Sequence, residues 1–81
     1  MKIIILPRGW VMVGVSNISN STLFLTSASV VRRWGSVKGL PALAKNGPVS
    51  DTKLDGKCDM QIPLSSVMAM LECDKDAWND Y

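Results

Sequence analysis

The chain has no histidine. This removes the commonest general base and the side chain most often recruited to hold metals. Only two cysteines are present, Cys58 and Cys73, too few for a four-ligand zinc site. No stretch approaches the ~20 apolar residues of a membrane-spanning helix. The apolar run at the start, Ile3 to Leu6, ends at Pro7-Arg8-Gly9 and is shorter than the roughly 7–15 residues of a secretory signal core. The expected setting is therefore a reducing cytoplasm, with both thiols free. A Cys58–Cys73 disulfide stays open, because spacing does not decide pairing. Acidic residues are missing from residues 1–50, which hold Lys2, Arg8, Arg32, Arg33, Lys38 and Lys45 and sum to +6. Residues 51–81 hold three lysines against seven acids and sum to −4. Such asymmetry has three readings: an anion-binding half, a solvated surface, or head-to-tail contact between protomers.

The 81 residues make one domain, 1–81, ending in an acidic tail, 74–81. A core of this size is marginal, and self-association is the stabiliser left when disulfides and metals are set aside. A homo-oligomer is expected, since the apolar content exceeds what so small a body hides.

The apolar pattern predicts a mainly β, β-rich α+β fold. The expected form is a small twisted antiparallel sheet or open barrel of five or six strands with one short helix. Ile3 to Leu6 reads as a strand buried on both faces. Trp10 to Ser16 reads as a second, apolar on both sides, with Gly14 suited to a bulge or a close backbone approach. Asn17 to Ser21 reads as a turn, Thr22 to Thr26 as a third strand and Val30 to Trp34 as a fourth. The best helix lies within Ser36 to Asn46, with Ser36 or Lys38-Gly39 at its start, Pro41 in its first turn and Gly47-Pro48 as its stop. Val49 to Gly56 reads as a polar loop and Cys58 to Pro63 as a fifth strand. Leu64 to Cys73 fits strand or helix; the strand is preferred, because the run follows Pro63 and lacks a polar helical face. Trp78 and Tyr81 are apolar anchors on a tail that otherwise frays, and Trp78 is expected to dock on its own or a neighbouring body.

Catalysis fails on inventory. Cys73 lies between Glu72 and Asp74, which oppose a thiolate, and Cys58 lies between Lys57 and Asp59. The segment Gly35-Ser36-Val37-Lys38-Gly39 lacks the spacing of a P-loop. A protein without enzymatic activity, cofactor or metal is expected. The chemistry on offer is a pair of Arg/Trp clusters. Arg32, Arg33, Trp34 and Lys38 sit at a strand-to-helix junction, and Arg8 and Trp10 at the first turn. Guanidinium groups hold phosphate through paired hydrogen bonds, and indoles stack on bases. These six residues are the candidate ligand-binding set. The competing reading makes Trp10 and Trp34 core residues, has each Arg snorkel or cross to a neighbouring carboxylate, and explains the Arg–Trp proximity as cation–π packing. Strand alternation sends Arg32 and Arg33 to opposite faces and sets Arg32 beside Trp34, which favours Arg32 for the ligand. The two clusters form one site only if they converge in space. Nucleic acid is disfavoured, because the basic excess is small and the Asp-rich segments oppose a phosphate backbone.

The run Ser27-Ala28-Ser29-Val30-Val31-Arg32-Arg33-Trp34-Gly35-Ser36-Val37-Lys38-Gly39-Leu40-Pro41-Ala42-Leu43-Ala44 resembles a family of small uncharacterised phage and prophage proteins. Their later Pro-Leu-x-x-Val-x-x-x-x-Glu-like strand is similar to Pro63 to Glu72. The resemblance covers about three quarters of the chain, in order. It implies a viral protein acting in the cytoplasm of a bacterial host by stoichiometric binding. One such class is the anti-defence sponge that sequesters a cyclic nucleotide or another nucleotide signal. The alternatives are a module that inhibits a host protein and an assembly component of a virion.

Overall fold

A computed structural model describes residues 1–35 and 38–80. Six antiparallel strands and one α-helix follow one another in the order β1 (Lys2–Ile5), β2 (Val11–Ser19), β3 (Thr22–Arg33), α1 (Leu40–Asn46), β4 (Lys53–Leu54), β5 (Cys58–Pro63) and β6 (Ala69–Glu72). The sheet runs β4-β3-β2-β1-β6, and β5 also pairs with β3. The expected β-rich fold with one short helix is what forms, and the sheet stays open.

Alternation along β1 and β2 sends side chains to two faces, and both faces are covered. Ile3, Val11, Val13 and Val31 pack under Leu40, Leu43 and Ala44 of α1, with Cys73 and Trp78. The helix reaches this face through the i, i+3, i+4 spacing of its three apolar residues. Ile4, Met12, Leu23, Leu25, Ala28 and Ile62 form the second cluster, flanked by Leu64 and Val67. The second face is covered by the sheet's own curl. Strands β5 and β6 are separated by β3, β2 and β1, at least about 19 Å in a flat sheet at ~4.8 Å per strand. Residues 64–68 alone join them, and Leu64–Ser66 are coiled into a 3₁₀ turn. With ~2 Å of rise per coiled residue the link spans about 16 Å, so the sheet bends inward around Leu64 and Val67.

β3 departs most from the expected layout. The sequence reads as two strands, Thr22 to Thr26 and Val30 to Trp34, because its apolar alternation changes phase near Ser27. A single strand crosses both. Its registers with β2 and with β5 each slip at the same place, leaving an extra residue on β3 around Thr26 and Ser27. The bulge returns Leu23 and Leu25, before it, and Ala28, after it, to one face. Ser27 has φ 51°, and its amide donates to Asp59 Oδ1 at 3.0 Å. Gly14 lies where β2 passes this bulge. A Cβ there would stand 2.8 Å from the Ala28 Cβ, so the close approach expected of Gly14 is real.

Other boundaries also move. β2 runs on to Ser19, so the turn expected over Asn17 to Ser21 shrinks to Asn20-Ser21, with φ 50° and 63°. This two-residue loop matches the right-handed twist of the flanking strands. Val49 to Gly56 is not only loop: Leu54 and Lys53 pair with Val31 and Arg33 as β4. Leu64 to Cys73 is not one strand, because the 3₁₀ turn comes first and pairing with β1 covers only Ala69–Glu72. The helix occupies Leu40–Asn46, preceded by Gly39 and stopped by Gly47, whose amide donates to the Leu43 carbonyl. Gly47 has φ 82°, and a Cβ there would run into the Ala77 carbonyl. Ser36, the other cap candidate, and Tyr81, the second expected anchor, lie outside the described residues.

The tail folds back. Asp74 Oδ1 accepts from the amides of Asp76 and Ala77. This turn delivers Trp78, 3% exposed, to the helix-covered core. The Ala44 carbonyl, one of the last in α1 and without a partner inside the helix, accepts from Trp78 Nε1 at 3.0 Å and from the Asp74 amide at 2.9 Å. The anchor docks on its own chain.

Candidate functional site

The two Arg/Trp clusters meet in part. Arg8, Gly9, Trp10, Val11, Val30, Val31 and Arg32 line one shallow depression of about 170 Å³. The β2–β3 register makes this meeting. Met12 and Val30 are paired, and Trp10 and Arg32 lie two residues beyond them on the adjoining segments. Arg8 arrives by a tight turn closed by the Leu6 amide donating to the Trp10 carbonyl at 2.8 Å. The turn places Arg8 at φ 65°, ψ 26°, a left-handed conformation that costs a residue with a Cβ about 1 kcal/mol or more.

Trp10 is 53% exposed and Trp34 44%. The competing reading, in which both are core residues, does not hold: both indoles are accessible, and the core tryptophan is Trp78. Arg32 Nε donates to Asp55 Oδ2 at 2.8 Å. The Asp55 amide in turn donates to the Val30 carbonyl, which fixes the carboxylate beside the strand. This contact uses one of the five guanidinium donors. Trp10 shares the depression with Arg32; Trp34, the neighbour assigned to it by alternation, is not among the residues lining it.

Arg33, Trp34 and Lys38 are exposed but lie outside the depression. Arg33 pairs in register with Lys53, so two cations stand opposite each other on neighbouring strands, an arrangement that repels. Trp34 is held by its backbone: Thr52 Oγ1 donates to its carbonyl at 2.6 Å and accepts from the Val49 amide. Sequence reasoning missed Asp55 as the Arg32 partner and Lys53 as the Arg33 neighbour. Both lie in the stretch read as loop, and only the β3–β4 pairing places them.

A second, larger groove of about 440 Å³ is lined by Phe24, Leu25, Thr26, Asp59, Met60 and Gln61. None of these residues is basic, and Asp59 already serves the Ser27 amide. The Cys73 thiol is not set up as a nucleophile. Burial pushes Cys73 from 9.0 up to about 11; Glu72 adds to the effect, while the N-terminal ammonium and an Ile3 backbone hydrogen bond oppose it. Cys58 is exposed on β5. Among the described residues there is no cluster of three metal-ligating side chains, and no helix is long and apolar enough to cross a membrane.

No family model matches the chain, and no curated protein matches it.

Proposed function

We propose that the protein is a non-catalytic binder of an anionic, nucleotide-like ligand, of the kind a phage uses to sequester a host nucleotide signal. One observation carries this reading: Arg8 and Arg32, far apart in sequence, border a single depression with the exposed Trp10 between strands. The depression is smaller than the ~300–1,000 Å³ of sites that enclose a whole small molecule. It suits a phosphate group, held by Arg8 and the terminal amines of Arg32, while the base lies outside on the Trp10 ring. Asp55 orients Arg32 from behind, as a positioning residue. The left-handed backbone at Arg8 fits the same reading, because such conformations cluster at ligand clamps.

The test is calorimetric titration with cyclic and linear nucleotides. Charge-assisted hydrogen bonds are worth roughly 1.5–3 kcal/mol each, so Arg8→Ala or Arg32→Ala is expected to weaken binding about ten- to a hundred-fold. Trp10→Ala is expected to weaken nucleotides but not inorganic phosphate. Absence of heat with every nucleotide would reject the proposal.

A further inference from the structure

The two outer edges of the sheet are treated differently. On the β4/β5 side the edge carries Lys53 and Pro63, with Lys57 just before β5. Lysine and proline are the residues that discourage a further strand from adding. On the other side, β6 and the residue before it read Met68-Ala69-Met70-Leu71-Glu72, with no lysine, no proline and no register slip against β1. Met68 is 69% exposed and Met70 38%.

The backbone of β6 has a defined polarity. Cys73 donates its amide to the Met1 carbonyl at 3.1 Å, which makes residues 1 and 73 a hydrogen-bonded pair in the antiparallel register. Antiparallel pairs alternate between bonded and non-bonded. Leu71 and Ala69 therefore turn their amides and carbonyls toward β1, while those of Met70 and Glu72 point away from the sheet. Among the described residues no strand takes them up.

We propose that β6 pairs antiparallel with β6 of a second copy, making one continuous sheet across a symmetric dimer. The two-fold axis passes beside Leu71. In this register Met70 of each chain faces Glu72 of the other, and the outward groups of the four residues form four N–H···O bonds. Leu71 meets its symmetry mate, and the two Met70 side chains lie diagonally against each other. The occupant is a second copy because the edge is its own complement in this register. Every outward donor finds an acceptor, no Glu72 opposes another Glu72, and each Glu72 keeps its Lys2 partner at 3.7 Å. Shifting the axis to Glu72 sets the two carboxylates against each other. Shifting it to Met70 calls on the Met68 amide, which already donates to the Ile5 carbonyl.

The geometry supplies a selective variant. Proline at position 70 removes an outward amide and no bond to β1, so it suits an edge strand. Light scattering on the full chain without nucleotide is expected to give twice the 8.8 kDa chain mass, and Met70→Pro is expected to halve it with the thermal transition retained. Hydrogen exchange on the unmodified protein gives an independent readout. The Met70 and Glu72 amides are expected to be protected at high concentration and to lose protection on dilution. A monomer mass for the unmodified chain would overturn the proposal, as would fast exchange at both amides in a dimer. If Met70→Pro unfolds, the exchange measurement alone decides.

Discussion

The Pro7–Trp10 turn and the tail from Asp74 onward are both short connections carrying a tryptophan, and they use it in opposite ways. In the tail, an Asx turn at Asp74 needs no strained residue, and it delivers Trp78 to the Ala44 carbonyl, which has no partner within its own helix. The indole is buried among Ile3, Leu43 and Cys73. In the first turn, Arg8 is held in a left-handed conformation and Trp10 stays more than half exposed. One region contributes burial to the fold; the other accepts backbone cost and leaves its apolar surface in water. The contrast separates a stabilising tryptophan from an available one.

The largest expected effect tests that separation directly. Trp78→Ala empties a core site and removes one of the two hydrogen bonds to the Ala44 carbonyl, and it should cost about 3–5 kcal/mol in chemical denaturation. Trp10→Ala should stay within about 0.5 kcal/mol, as surface substitutions do. Equal losses would erase the distinction between the two regions. A smaller effect of opposite sign is expected at Arg8. Arg8→Gly relieves the left-handed strain and should raise stability by about 1 kcal/mol, while nucleotide binding falls. Stabilisation without loss of binding would make the strain incidental. The most subtle effect lies on the tail side. Cys73 keeps its proton to about pH 11 when folded but only to about 9 when unfolded. The folded state then binds more protons between these values, so stability is full below pH 9 and declines as pH rises toward 11. Cys73→Ala should flatten that decline relative to the unmodified chain.

Much of the architecture was legible because it depends on local pattern. The helix over Leu40–Asn46 follows from apolar spacing bounded by Pro41 and Gly47, and β5 over Cys58–Pro63 from its flanking turns. Gly14 announced a close approach by lacking a Cβ. The single β3 was not legible, since a bulge and a strand break change the phase of alternation in the same way. What distinguishes them is Asp59, which satisfies the Ser27 amide from a strand 32 residues away. The site was legible as a set of residue types and only partly as an arrangement. Arg8, Trp10 and Arg32 come together, whereas Arg33, Trp34 and Lys38 stand elsewhere.

The sequence by itself determined which residues are apolar, where the chain turns and that one half is free of acid. These follow from side-chain chemistry and from the backbone preferences of proline and glycine. Tertiary structure decided which tryptophan is buried, which arginine has a carboxylate and which edge of the sheet is left open. Each of these depends on strand register. A slip of one residue moves every side chain to the other face, and register is set by contacts between segments distant along the chain.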